Sequence, residues 1–257
     1  MGVNILAVGD VMGTSGMEFL MEKLRGVKKL YDIAFTVVNG ENAAGLGIEK
    51  DQARGLLDSG VDVITLGNHT WGRREIITFL DDSRYILRPA NFAPQVPGRG
   101  WGVFETSFGD VSVINLIGRG GMRLESESPF FEADRILGKV DTKIILVDFH
   151  AELTSEKNAM AYYLDGRVSA LWGTHTHVQT SDGRVFPNGM GYITDLGMTG
   201  PCDSIIGMKP EQPISRFLGN PPGRFEPAIG PAKIEGAVFE IDTDTGRCVN
   251  VEAVRVM

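Results

Sequence analysis

Short apolar, β-branched runs recur through the first two thirds of the chain, at residues 5–8, 33–38, 61–66, 143–147 and 168–172. Each is followed by a polar turn and most by a segment of helical period, the alternation expected of a sheet flanked by helices. After the first run, Ser15 and Glu18 fit a capping box, and Met17, Leu20, Met21 and Leu24 fall on one helical face. Residues 48–60 read similarly, with Ala53, Leu56 and Leu57 inward and Gly60 as a stop signal. Two stretches depart from this pattern and read as antiparallel pairs, residues 102–107 with 111–117 and residues 237–242 with 248–256. They suggest a second sheet. The Pro-rich passage 210–231 reads as a long surface excursion.

Both patterns fit an α/β fold in which two mixed β-sheets pack as a sandwich with flanking helices. No Pro, Gly and Ser-rich linker separates two apolar halves, so residues 1–257 are expected to form a single domain. No internal repeat or low-complexity tract is present.

The chemistry lies at the ends of the runs. They read Gly9-Asp10, Asn39-Gly40-Glu41-Asn42, Gly67-Asn68-His69, Asp148-Phe149-His150 and Gly173-Thr174-His175-Thr176-His177. In a largely parallel sheet the C-terminal strand ends share one edge, where open α/β proteins place their ligands. All four histidines of the chain fall in these endings. A single histidine after a strand is more often a hydrogen-bonded structural residue, but four beside Asp10, Glu41 and Asn68 point to a metal site.

Imidazoles with carboxylates and amides, and no thiolate, suit Mn, Fe or Zn. The donors outnumber the needs of one tetrahedral zinc. A pair of ions sharing a carboxylate, about 3.5–4 Å apart, clamps the attacking and leaving oxygens of a displacement at phosphorus.

The order of these motifs resembles the calcineurin-like metallophosphoesterases. The variants Gly40-Glu41-Asn42, Asp148-Phe149-His150-Ala151-Glu152, Gly173-Thr174-His175-Thr176-His177-Val178 and Asp203-Ser204-Ile205-Ile206-Gly207 most closely resemble the bacterial YmdB-like phosphodiesterases. The resemblance covers most of the chain and implies the four-layer α/β/β/α form of the sandwich. It also implies two divalent ions bridged by Glu41, with Asp10, Asn42 and His177 on one and Asn68, His150 and His175 on the other. Fe or Mn is expected, with Zn as a further option. His69 stays unmetallated as the general acid or electrostatic stabiliser. A hydroxide between the metals would attack phosphorus directly, and the implied substrates are cyclic nucleotides such as 2′,3′-cyclic monophosphates. Two positions depart from the wider superfamily: Met12 stands where a histidine is usual, and Glu41 where an aspartate bridges. Asn42 is the candidate replacement donor, against a plain turn-capping role.

Composition narrows the partners. With 42% hydrophobic and 23% charged residues, the chain is an ordinary globular one. A net charge of -8 argues against gripping nucleic acid by bulk electrostatics and leaves small phosphoesters as the expected substrates. Two cysteines, Cys202 and Cys248, match no metal spacing, and no segment has the length and apolarity of a membrane span or secretory signal. Cytoplasmic residence is the expectation, with a homo-oligomer left open.

Arg73 with Arg74, and Arg119 with Arg123, are candidate phosphate contacts, against the bland reading that such arginines are solvated. Gly45 and Gly47 complete no nucleotide-binding fingerprint, and no Gly-x-Ser-x-Gly elbow is present. Two rival functions stand beside the phosphodiesterase: a metal-organised regulatory protein with slow or incidental turnover, and a dinuclear hydrolase of amides or lactones.

Overall fold

The computed structural model describes residues 2–122, 124–221 and 223–257. The strands are β1 (Gly2–Val8), β2 (Asp10–Val11), β3 (Ile33–Asn39), β4 (Val63–Thr65), β5 (Ile86–Leu87), β6 (Trp101–Phe104), β7 (Val111–Ile117), β8 (Ile144–His150), β9 (Ala170–Thr174), β10 (Arg184–Val185), β11 (Gly191–Ile193), β12 (Met198–Pro201), β13 (Ala232–Asp242) and β14 (Cys248–Val256). The helices are α1 (Gly13–Leu30), α2 (Lys50–Asp58), α3 (Ile76–Asp82), α4 (Pro129–Leu137), α5 (Thr154–Leu164) and α6 (Glu211–Phe217).

The strands form two mixed sheets. One has eight strands in the order β2-β12-β13-β1-β3-β4-β5, with β14 also paired to β13, and the other has six in the order β10-β11-β9-β8-β7-β6. Parallel pairing runs through β1, β3, β4 and β5 in the first and through β7, β8, β9 and β11 in the second.

Side chains alternate across each strand with period two, and that alternation builds the layers. From β1, Leu6 and Val8 pack with Leu20 and Leu24 of α1, Leu56 of α2 and Leu80 of α3, while Ile5 and Ala7 face the other sheet. Between the sheets they meet Val113, Leu146 and Trp172, with Phe239 from β13. On the far side, Val147 and Phe149 of β8 pack with Ile136 of α4 and Met160 and Leu164 of α5. Helix, sheet, sheet and helix are thus the four layers expected, with an apolar cluster at each interface; every large side chain buried there contributes about 1.5–3 kcal/mol.

Several local expectations need correction. The two antiparallel hairpins do not share a sheet: β6–β7 edges the second, whereas β13–β14 belongs to the first, because β13 pairs along all of β1. α1 starts before Ser15, with Met12 at the N-cap and no side-chain cap. Ser15 Oγ instead accepts the Gly230 N–H at 3.3 Å. Met21 is 38% exposed, at the margin of the helical stripe. The capping box sits on α2, where Glu49 and Gln52 satisfy each other's backbone N–H groups. The Pro-rich excursion carries α6; its Pro210 at the N-cap and Pro213 in the first turn cost no helical hydrogen bond. Among the described residues no helix is long and apolar enough to cross a membrane.

Candidate metal centre

The pairing registers bring the strand ends level. Asn39 of β3 lies opposite Thr65 of β4, and His150 of β8 opposite Thr174 of β9. The residues that follow turn into the gap between the two sheet edges. After β3, the Glu41 N–H bonds back to Asn39 Oδ1 at 3.1 Å, a side-chain-closed turn that points Glu41 inward. After β4, the His69 N–H donates to Glu41 Oε2 at 3.1 Å. After β9, the His175 N–H reaches Asp10 Oδ2, also at 3.1 Å. His175 and His177 both hold positive φ, 97° and 64°, a conformation uncommon outside glycine and asparagine.

All eight predicted site residues meet here, in two groups that share Glu41. In one, His150 Nε2 lies 2.8 Å from Asn68 Oδ1, and both Glu41 Oε1 and His175 Nδ1 stand 3.1 Å from it. In the other, His177 Nε2 is 3.3 Å from the Asn42 amide and 3.7 Å from Asp10 Oδ1, and the Asn42 amide donates to Glu41 Oε1 at 3.1 Å. Asn42 Oδ1 faces His69 Nδ1 at 2.8 Å. Asp10, Glu41 and His150 are fully buried, whereas the His69 side chain is 34% exposed.

The rings of His150, His175 and His177 are each oriented by a partner on the outer nitrogen. His150 Nδ1–H donates to Thr174 Oγ1 at 2.9 Å, and that hydroxyl donates to Asp148 Oδ1 at 2.7 Å. His177 Nδ1–H donates to the Ile206 carbonyl at 2.9 Å. His175 Nε2–H lies 3.0 Å from Glu152 Oε2. In the neutral rings these partners leave His150 Nε2, His175 Nδ1 and His177 Nε2 as free lone pairs turned into one space, the arrangement that metal-binding histidines require.

Burial raises the Glu41 carboxyl, but the His150 ring, with His69 behind it, more than reverses this and holds Glu41 well below the usual carboxylate range. Asp10 is likewise raised by burial and drawn below its ordinary value by His177 and His150. Burial alone would lower His177, yet Asp10 and the Ile206 carbonyl push it up to about 9. Against its burial, His150 is raised by Glu41, Asp10 and Asp148. His175 falls to about 4 through burial and the neighbouring His150 charge. Protons on His150 and His177 thus offset the anionic pair Asp10 and Glu41. Such a cluster exchanges protons for cations.

Three observations fit metal ions to these residues. Asp10 Oδ1 is buried with no hydrogen-bond partner. Glu41, His150 and His175 offer ligand atoms that all lie within 4.8 Å of one another. A Cβ on Gly67 would fall 2.3 Å from Glu41 Oε2 and 2.4 Å from His150 Nε2, so only glycine leaves the space free.

Of the arginine candidates, Arg73 and Arg119 bind elsewhere and Arg74 is exposed. Arg73 donates to the Ala44 carbonyl at 2.6 Å and faces Glu49 at 3.6 Å. Arg119 lines a separate cavity, its backbone N–H bound by Glu156, and Arg123 lies outside the described residues. Sequence reasoning missed Asp195 and Lys157. Asp195 accepts the Thr176 N–H and hydroxyl, at 3.2 and 2.7 Å, and pairs with buried Lys157. The signal was present, since Asp195 follows β11 as the other donors follow their strands, but that strand is only three residues long.

The chain is similar to known proteins. A profile of the YmdB-like protein family matches residues 6–254. The 2',3'-cyclic-nucleotide 2'-phosphodiesterase of Bacillus subtilis (strain 168) is 44% identical over 257 residues, covering 99% of this chain and 97% of that one. A phosphatase from Mycoplasma pneumoniae superposes with a TM-score of 0.94 at 35% identity, over 100% of this chain and 94% of the other. A hypothetical protein from Thermus thermophilus superposes with a TM-score of 0.92 at 37% identity, over 99% of each chain. The sandwich and its strand-end donors define a metallophosphoesterase, a hydrolase of phosphoester bonds. Within that class, the chain belongs to the YmdB-like family.

Proposed function

We propose that this chain is a phosphodiesterase with a dinuclear centre of divalent ions, Fe or Mn with Zn as a further option, acting on cyclic nucleotides such as 2′,3′-cyclic monophosphates. The observation that carries the reading is the place of Glu41, a buried carboxylate between two groups of nitrogen and oxygen donors. The substrate class rests on similarity to the Bacillus subtilis phosphodiesterase.

Asp10, Asn42 and His177 would hold one ion, Asn68, His150 and His175 the other, and Glu41 both. Bound there, divalent ions supply acidification of water near neutral pH and neutralisation of phosphoryl charge. The protein contributes the rest. Asp148, through Thr174, and Glu152 fix two of the imidazoles, so the donor atoms need no reorganisation when charge develops. His69 lines the cavity above the donors, with its Nδ1 2.8 Å from the Asn42 amide; with that amide turned so that its oxygen faces an ion, its N–H would donate to Nδ1 and leave the proton on Nε2. From there His69 steadies, and passes a proton to, the departing oxygen. Residues 1–257 act as one domain in the cytoplasm, where the unpaired thiols Cys202 and Cys248 stay reduced.

The test is Glu41→Gln, assayed with a chromogenic phosphodiester and Mn or Fe, alongside metal analysis. The variant is expected to fold, to bind less metal and to lose turnover. Turnover equal to that of the parent would reject the reading.

A further inference from the structure

The cavity above the cage has a second wall that the hydrolytic chemistry does not use. It measures about 690 Å³, within the roughly 300–1,000 Å³ typical of small-ligand sites. Glu41, His69, His175 and His177 line one part of it, and Arg216, Phe217 and Phe225 another. Arg216 and Phe217 close the end of α6, and Phe225 follows in the excursion that returns to β13.

Phe217 is 87% exposed, a large ring at the rim of the cavity that reaches the donors. Phe225 is half-buried, and the Arg216 guanidinium lies 5.7 Å from its ring centroid. Arg216 is the one lysine or arginine among the described residues that line this cavity. Two aromatic faces and a planar cation, beside a site for phosphoesters, match a flat heteroaromatic ring joined to a phosphate. Stacking on such faces is worth about 1–3 kcal/mol per base and tolerates any base, because every base has a π-face.

We propose that Phe217, Phe225 and Arg216 form a nucleobase-binding wall, which makes the enzyme prefer nucleoside phosphodiesters to base-free ones. The inference rests on the nucleotide reading above and deepens it by naming the residues that read the base. Selectivity then sits in α6 and the excursion, apart from the donors at the strand ends.

The test compares Phe217→Ala, Phe225→Ala and Arg216→Gln with the parent on two substrates, 2′,3′-cyclic AMP and the base-free 2,3-cyclic phosphate of ribose. For cyclic AMP, KM is expected to rise about 5- to 150-fold in the aromatic variants, the span that stacking energies imply. Its kcat should stay within about twofold. On the base-free ester the two aromatic variants should match the parent. Equal losses on both substrates, or no change on cyclic AMP, would overturn the wall. Phe217 is too exposed for its truncation to unfold the chain, which protects the comparison.

Calorimetric titration with AMP separates the two ideas. If the parent ignores cyclic nucleotides yet binds AMP more tightly than Phe217→Ala and Phe225→Ala, the wall stands and the substrate reading falls. If parent and variants bind AMP alike, the wall falls, whatever the turnover.

Discussion

Lys157 Nζ and Asp195 Oδ2 form a 2.7 Å ion pair with each side chain only 1% exposed. The same Asp195 oxygen holds Thr176, between His175 and His177, so a buried charge pair from α5 and the end of β11 fastens the loop that carries two cage histidines. The Lys157 stem also covers Gly173, where a Cβ would lie 2.8 Å from it. Lys157→Met should leave the buried carboxylate unpaired at a cost of about 3–5 kcal/mol. Urea unfolding measures this, and Lys157→Met with Asp195→Asn, which removes the buried charge and keeps an amide oxygen for Thr176, should recover much of the loss. A single variant as stable as the parent would show that the pair does not secure the loop.

Glu152 offers a gentler perturbation, because it is half-exposed and touches the cage only through His175 Nε2. Glu152→Gln should keep the fold and lower metal affinity about 10- to 100-fold, the usual consequence of losing an oriented imidazole partner. Metal-buffered titration provides the measurement. Unchanged affinity would mean that His175 is oriented without the carboxylate.

Two histidines give the metal-free protein opposite pH responses. His177 is raised in the folded state to about 9, above the ordinary 6.5, so its contribution to stability is fully present below 6.5 and is lost as pH rises through 9. His175 is lowered to about 4, so its contribution is present above 6.5 and lost as pH falls through 4. Metal affinity should climb between pH 6.5 and 9, as His177 surrenders its proton. Thermal melts of chelator-treated protein and metal titrations across pH test both limbs. His177→Asn should flatten the alkaline limb alone.

Gly67 supplies the sharpest steric test. A methyl group there collides with both Glu41 and His150, so Gly67→Ala should reduce bound metal and turnover together. Gly109 provides the control, since an added Cβ there has nothing within 4 Å and only its positive φ of 114° to resist it. Gly109→Ala should lose some stability and keep its metal. Full metal occupancy in Gly67→Ala would mean that the donors have slack.

Much of the cage was legible in the sequence because its donors directly follow apolar runs, and parallel pairing aligns such ends. Gly67-Asn68-His69 and Gly173-Thr174-His175-Thr176-His177 needed only that rule. The sheet to which each hairpin belongs was not legible. β6–β7 and β13–β14 have the same local alternation, and only β13's long-range pairing with β1 and β7's with β8 decides between them. Ser15 and Glu18 misled because α1 begins earlier, at Gly13, and the Ser15 hydroxyl is turned to the Gly230 N–H. Nor could α6 be read through Pro210, Pro213 and Gly219, all of which argue locally for a loop. Its role as a wall depends on where the chain folds back, which no local pattern encodes.

The excursion carrying α6 leaves from β12 and returns to β13, two strands already paired with each other. Its length and sequence are therefore free of the constraints that hold the sheet in register. Beyond Ile206, whose carbonyl orients His177, relatives can reshape the part of this flap that carries α6 and acquire new leaving-group preferences while inheriting the hydrolytic centre intact, so divergence within the family should concentrate in that part.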